Sequence, residues 1–355
     1  MRPLEGITVV ALEQVIAGPF ATRQLAELGA RVIKIERPGS GDASRGYDRT
    51  VRGLSSHFVW TNRSKESLTL DVKHPDAKAV LNRLLEKADV FLQNLAPGAA
   101  ERLGLGSEML RKKHPRLIWC GISGYGPAGP YAEKKAYDLL VQCEAGLLSI
   151  TGTPDAPSKA GIPVADIAAG MYAFSSILAA LFRRSRDGEG ATLDITMFES
   201  LGEWMGFPAY FTASGGEPPP RSGAHHATIA PYGPFGTGDG GSVFLSVQNE
   251  REFERFCDAV LSNPALKTDA RFSRRRVNAA CLRENFVQLQ FQVRARHSVD
   301  EDKAKLGFEA LRNQHFSSGQ SKKMSPKVRS HVLLGGLDFA QRDLVQIGFH
   351  LPQYV

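Results

Sequence analysis

Cysteine is scarce in this 355-residue chain: Cys120, Cys143, Cys257 and Cys281 are scattered, with no CxxC and no short spacing. That pattern excludes a disulfide framework and a cysteine-built zinc site, and it suits a reducing compartment. No apolar run reaches the ~18 residues of a membrane span. The start, Met-Arg-Pro-Leu-Glu-Gly, has no signal-like apolar segment. A soluble, cytoplasmic protein without a membrane partner is expected. Several catalytic signatures are also missing: no P-loop, no GxSxG elbow, no HExxH and no cysteine nucleophile context. His225 and His226 are adjacent and lack partners at metal-ligand spacing, so no metal is expected.

Excess positive charge is absent from most of the chain despite a net charge of +7. From Arg271 onward there are 15 Lys+Arg against 7 Asp+Glu, which leaves 29 basic and 30 acidic residues before it. No nucleic-acid motif or interleaved aromatics accompany the basic tail, so it reads as solvated and nucleic acid is not an expected partner.

What is present is an ordinary globular composition, 42% hydrophobic and 23% charged, at a length that suits two lobes. Strands are expected at Ile7–Leu12, Arg31–Ile35, Ser67–Val72, Val90–Gln93, Leu117–Ile122 and Ala191–Ile195. Helices are expected between them, through Ala21–Leu28, Pro75–Lys87, Met109–Lys113, Asp138–Ile150 and Ile167–Phe182. This order predicts an α/β, Rossmann-like, doubly wound and mostly parallel sheet in a large domain spanning 1–212. A Gly/Pro/Ser-rich linker at 213–223 leads to a small domain over 224–290, with a strand at Ser242–Val247 and a helix through Glu250–Leu261. Residues 291–355 form an atypical tail; its segment Lys303–Val355 has little periodicity and loose packing is expected in much of it, with first proteolysis between Asn313 and Arg329.

Asp166 stands out. It is one acid opening an apolar stretch, Ile167 to Phe182, in which only Ser175 and Ser176 are clearly polar. A helix hydrophobic all round belongs in an interior. The carboxylate there is a helix cap or a catalyst, and the two readings are compatible. The positive end of the helix dipole is expected to keep it ionised.

Ligands of such sheets bind beyond the carboxyl ends of the strands. Glu36 follows the second strand, where dinucleotide folds place a ribose-binding acid. The GxGxxG fingerprint is missing, so dinucleotide binding is weakly supported. Other strand-end segments combine small and basic residues: Ile35 to Asp42, Leu70-Asp71-Val72-Lys73, Asn94-Leu95-Ala96-Pro97-Gly98 with Arg102, and Lys135-Ala136-Tyr137-Asp138. Together they set Arg37, Lys73, Arg102 and Lys135 where an anionic ligand could meet several cations.

These segments resemble the family III CoA-transferases, the group of formyl-CoA transferase and carnitine CoA-transferase. The resemblance runs from Leu4 to about Asn285. It is carried by Ala17-Gly18-Pro19, Val32 to Gly39, Leu70 to Lys73, Gln93-Asn94 with Pro97-Gly98, Gly124-Tyr125-Gly126, and Ala165-Asp166-Ile167 with Gly170-Met171. His226 to Phe235 and Gln248 to Arg251 look most like members that use dicarboxylates such as succinate, mesaconate, itaconate or glutarate. The resemblance implies Asp166 as nucleophile and coenzyme A or acyl-CoA as substrate, with no tightly bound cofactor and an interlocked homodimer. It further implies CoA contacts at Arg37, Leu70, Asp71, Val72, Lys73, Asn94, Leu95, Ala96, Arg102, Lys135, Ala136, Tyr137 and Asp138.

Two departures from the family pattern are visible. Ile16 stands where formyl-CoA transferase has a glutamine, with Gln14 as a substitute from another angle. The chain also stops matching near residue 290. α-Methylacyl-CoA racemases share the acid at Asp166 but place histidine before the residue matching Asp138. Tyr137 sits there in this chain, and a phenol is a poor base at neutral pH. A third reading is an inactive CoA-binding protein spoiled by its tail.

Overall fold

The computed structural model describes residues 1–236, 241–269, 272 and 331–332. The chain divides into two compact units, Met1–Arg221 and Ser222–Val355. In the first unit the strands are β1 (Thr8–Leu12), β2 (Arg31–Glu36), β3 (Glu66–Thr69), β4 (Val90–Gln93), β5 (Ile118–Ser123) and β6 (Ala191–Thr196). Its helices are α1 (Ala17–Glu27), α2 (Ser56–Asn62), α3 (Ala77–Leu85), α4 (Ala99–Arg102), α5 (Ser107–Lys113), α6 (Asp138–Glu144), α7 (Leu147–Ile150), α8 (Val164–Asp187), α9 (Met197–Trp204) and α10 (Gly206–Ala213).

The six strands are all parallel, in the order β3-β2-β1-β4-β5-β6. A parallel sheet is covered on both faces, which is why β1, β2, β4 and β5 read as short continuous apolar runs. One face packs Val9, Ala11, Leu92, Ile118 and Cys120 against α1, α6, α8 and α9. The opposite face packs Val10, Leu12, Ile35, Phe91 and Trp119 against α3 and α5. The strand order reverses between β1 and β4, and a crevice opens at the carboxyl end of such a switch. Leu12 pairs with Gln93 there, so Glu13 and Asn94 leave the sheet side by side.

Several boundaries differ from the sequence expectation. The segment Asp138–Ile150 is two helices, because Gly146 adopts a left-handed φ of 82° and breaks α6 from α7. α8 starts three residues before Ile167 and is not buried all round. Met171 and Phe182 lie on an exposed side, 38% and 61% accessible, while Ala169, Ala173 and Ile177 are buried in the core. By length and composition α8 could cross a membrane, but it packs along α1 as a core helix of this unit. α2, α9 and α10 carried no clear periodic signal.

In the second unit β7 (Tyr232–Gly236) and β8 (Ser242–Ser246) are antiparallel, and β9 (His331–Val332) adds parallel to β8. α11 (Glu250–Ala259) buries Phe253 and Cys257 in a small core with Ala230, Val247, Leu266 and Phe272. Asn249 caps it by accepting from the Glu252 N–H. Residues 237–240 of the expected turn, the expected cleavage region at 313–329 and all of the expected loose tail except His331–Val332 lie outside the described residues.

Candidate active site

α1 and α8 meet where Gly170 faces the start of α1. A Cβ on Gly170 would come within 2.8 Å of the Ala17 carbonyl and 2.9 Å of Phe20. Only glycine allows this approach, and it brings the first turn of α8 to the first turn of α1. Asp166 is the third residue of α8 and partly exposed. Its carboxylate accepts a hydrogen bond from the Ala17 backbone N–H.

Asp166 does not cap its own helix. Asp138 reaches across from α6 and accepts from the Ala165 N–H at 2.8 Å and the Asp166 N–H at 3.4 Å. Gln142 holds the other Asp138 oxygen at 2.6 Å and accepts from the Ala160 N–H at 2.9 Å. The expectation that the helix dipole keeps Asp166 readily ionised is therefore corrected. Burial first, and the Asp138 charge second, push its pKa up to about 7, against the smaller opposing effect of the Ala17 N–H. A carboxylate with that affinity for a proton is a better base and nucleophile when ionised, and about half of it is ionised near neutrality. Tyr47 lies within electrostatic reach, its phenol raised by burial and by Asp42 and Asp166.

The turn joining β1 to α1 is fixed from several sides. Asn94 accepts from the Gln14 N–H at 2.8 Å and donates to the Gln14 carbonyl at 2.9 Å. The Gln14 amide oxygen accepts from the Ala43 N–H at 3.3 Å, so this side chain turns toward the Asp42–Ala43 loop. Beneath the turn lies a buried charge network that sequence reasoning missed. Lys65 pairs with Glu13 at 2.7 Å, Lys34 with Asp42 at 2.7 Å, and Lys34 with Glu13 at 3.5 Å. Thr22 donates to Glu13 at 2.7 Å, and Lys65 also donates to Asn62 and to the Pro19 carbonyl. Burial works to raise the carboxyls of Glu13 and Asp42, but the neighbouring lysines and hydrogen bonds overrule it, and both end below their ordinary range. Burial brings Lys65 down to about 8, against the pull of Glu13. The available signal was Lys34 itself, one charge inside Val32-Ile33-Lys34-Ile35, which demands a buried partner.

The strand-end residues expected to meet CoA leave the carboxyl ends of parallel strands. Arg37 follows β2, Leu70 to Lys73 follow β3, Asn94 to Ala96 follow β4, Arg102 is on α4, and Lys135 to Asp138 follow β5. The parallel topology puts Arg37, Leu70 and Asn94 just beyond the carboxyl ends of their strands, whereas Arg102 and Lys135 lie further along the chain from β4 and β5. Arg37, Lys73, Arg102 and Lys135 are exposed. Arg102 donates to the Pro97 carbonyl at 3.3 Å. Lys73 and Asp71 share a local turn through the Lys73 N–H at 3.0 Å. The side chain of Asn94 is taken up by Gln14; the Leu95 N–H donates to the Gln93 side chain at 2.8 Å and the Ala96 carbonyl accepts from the Ala99 N–H. Asp138 is likewise occupied as the cap of α8. Glu36 is not free for a ribose, because Arg45 binds both its oxygens at 2.9 and 3.0 Å and stacks over Phe58. His226 accepts from the N–H groups of Thr228 and Ile229 at its Nδ1 and stacks on Tyr232, a structural role. Among the described residues no cluster of His, Cys, Asp or Glu could hold a metal ion.

A Rossmann-type parallel sheet with a partly exposed, proton-retaining carboxylate where α8 meets the start of α1 is the architecture of an α/β enzyme. The family model for CoA-transferase family III matches residues 4–308, some way past the point near 285 where the sequence resemblance was expected to end. An acetyl-CoA:oxalate CoA-transferase from Acetobacter aceti is 39% identical over 76% of this chain and 69% of its own length. A succinate–glutarate CoA-transferase from Agrobacterium fabrum is 38% identical over 78% of this chain and 71% of its own length. Among solved structures, a CaiB/BaiF family protein from Brucella suis matches with a TM-score of 0.73 and 31% identity, covering 91% of this chain and 84% of that one. This chain belongs to CoA-transferase family III.

Proposed function

We propose that the protein transfers CoA from an acyl-CoA thioester to a free dicarboxylic acid, with Asp166 as covalent nucleophile. The observation that carries this reading is the placement of the Asp166 carboxyl, partly exposed in the first turn of α8 beside the start of α1; burial and Asp138 raise its pKa to about 7. The ionised carboxylate attacks the thioester carbonyl, giving a mixed acyl–aspartyl anhydride and free CoA thiolate. The thiolate attacks the aspartyl carbonyl and releases the donor acid, leaving an aspartyl-CoA thioester. The acceptor carboxylate opens that thioester to a second anhydride. The thiolate then takes the new acyl group and restores Asp166. Each step is an acyl substitution, so one difficult exchange becomes four easier ones.

Arg37 and Arg102 would bind CoA phosphates through bidentate bonds, and Lys135 and Lys73 would act as point charges. The backbones of Leu70 to Val72 and Asn94 to Ala96, with Ala136 and Tyr137, would line the path of the adenosine and pantetheine. The preference for dicarboxylates rests on the relatives named for oxalate and for glutarate. An α-carbon proton-transfer enzyme would need a base opposite Asp166, and Tyr137, 66% exposed, is no such base. We further propose a homodimer, supported by the exposed aromatic side chains Trp204, Phe207, Tyr210 and Phe211 on α9 and α10.

The test is a screen of acyl-CoA donors against dicarboxylates, read by mass spectrometry, with wild type and Asp166→Ala. Exchange for at least one dicarboxylate in the wild type, and loss of at least about a thousand-fold in the variant, is expected. A variant that keeps more than about a tenth of wild-type turnover would remove Asp166 from the reaction.

A further inference from the structure

The strand-to-helix turn after β1 carries no side chain suited to the chemistry. Ile16 is buried, 3% exposed, and Gln14 points to Ala43. What this turn offers Asp166 is backbone, the Ala17 N–H, and its direction depends on how Val15 and Ile16 are held. Val15 sits at a φ of 64°, a conformation that a β-branched residue adopts only under constraint. The constraint is visible. The Val15 N–H is received by both oxygens of Asp42, at 3.1 and 3.2 Å. Asp42 is itself immobilised by Lys34 at 2.7 Å and by the Ser44 N–H and hydroxyl, each at 2.8 Å. Lys34 in turn reaches the Glu13 carbonyl at 3.5 Å. The turn is therefore held at Glu13, Gln14 and Val15, all just before the donor that faces the carboxylate.

We propose that Asp42 is a positioning residue: by holding the Val15 N–H it keeps the strained turn in the one conformation that aims the Ala17 N–H at Asp166. The proposal rests on the reading of Asp166 as the reacting group. A donor fixed in advance where charge resides needs no reorganisation during the reaction, and loss of one such donor typically costs ~100-fold or more in rate. A loosened donor is expected to cost about ten-fold. It also leaves a signature in pH. The other groups facing Asp166 are Asp138 from α6 and Tyr47 from the loop before α2; among the described residues neither is hydrogen-bonded to Asp42, although Tyr47 feels the Asp42 charge. The Ala17 N–H favours the ionised form, so its loss makes Asp166 hold its proton to higher pH.

The experiment compares full-length wild type, Asp42→Asn, Asp42→Ala and the double variant Val15→Gly/Asp42→Asn. It measures kcat, KM for acyl-CoA and the pH dependence of kcat/KM, with a carbon-13 NMR titration of the Asp166 carboxyl as a readout that needs no turnover. Asp42→Asn should lower kcat about ten-fold with KM changed less than two-fold, and should move the acid limb and the Asp166 titration upward by at least half a pH unit. Val15→Gly should recover part of kcat and of the shift, since glycine adopts a positive φ without help. Asp42→Asn with an unmoved titration and unmoved limb overturns the proposal, whether or not its rate falls. Failure of Asp42→Ala to fold leaves the Asn and double variants to decide. If Asp166→Ala keeps exchange while Asp42→Asn still shifts the Asp166 titration, the catalytic reading has failed and the positioning has not.

Discussion

Replacing Asp166 by asparagine should make the protein more stable as well as inactive, with a pH dependence that identifies the cause. The rise of the carboxyl from 3.8 to about 7 is worth about 4 kcal/mol at 1.36 kcal/mol per pH unit. Partial exposure screens this, so a gain of about 2 kcal/mol is expected at high pH. The folded protein holds the Asp166 proton more tightly than the unfolded chain does. Folded wild type is therefore favoured by this group at low pH, and that contribution is lost as pH rises from about 4 through about 7. Asparagine keeps the shape, can still accept from the Ala17 N–H, and removes the repulsion with Asp138. Thermal unfolding of both proteins should then give the same midpoint near pH 4. Above pH 8 the variant should unfold ~4–8 °C higher, at ~2–4 °C per kcal/mol for a unit of this size. Equal midpoints at pH 8, or a variant advantage that grows as pH falls, would refute the account of a carboxylate strained by burial and by Asp138. Stability gained at a catalytic position is the usual mark of a site built for reaction rather than for folding.

The wild-type kcat/KM should rise with pH through an acid limb near 7, because only the ionised Asp166 attacks; a flat profile from pH 5 to 8 would contradict this. Arg37→Ala and Lys135→Ala should each raise KM for acyl-CoA about ten-fold with kcat nearly unchanged, measured by steady-state kinetics with one donor. Gly170→Ala should cost about 1–3 kcal/mol, because the Ala17 carbonyl at 2.8 Å is backbone and cannot step aside; its denaturant midpoint checks this. Given a 2-methylacyl-CoA in deuterated water without an acceptor acid, the protein should show no α-hydrogen exchange above background, and rapid incorporation would point to a second base.

The sheet was legible because β1, β2, β4 and β5 are short apolar runs and β6 alternates polar and apolar residues, and the alternation of strands with helices left one economical topology. Short helices were harder to read. α2 holds Ser56, His57, Trp60, Thr61 and Asn62 in seven residues, which carry almost no helical stripe, and tertiary packing forms it. The position of Asp166 at a helix start was legible, but its ionisation was not. The helix dipole argued for an easily ionised acid, whereas the dominant causes are burial and a carboxylate 28 residues earlier in the chain. The Glu13–Lys34–Asp42–Lys65 network escaped for the same reason. Its members are separated by up to 52 residues and meet only after β2 and β3 stack beside β1. Lys34, 1% exposed in a strand, was the one clue within reach of sequence reasoning.

The central claim is that Asp166 exchanges oxygen with the acids it serves. In the final anhydride the bridging oxygen comes from the acceptor carboxylate, and CoA attack on the acyl carbon leaves that oxygen on the aspartate. Turnover with an acceptor acid labelled with oxygen-18 should place heavy oxygen on the peptide containing Asp166, detected by mass spectrometry after digestion, and on no other carboxyl of the chain. Continued CoA transfer with an unlabelled Asp166 peptide would contradict the mechanism.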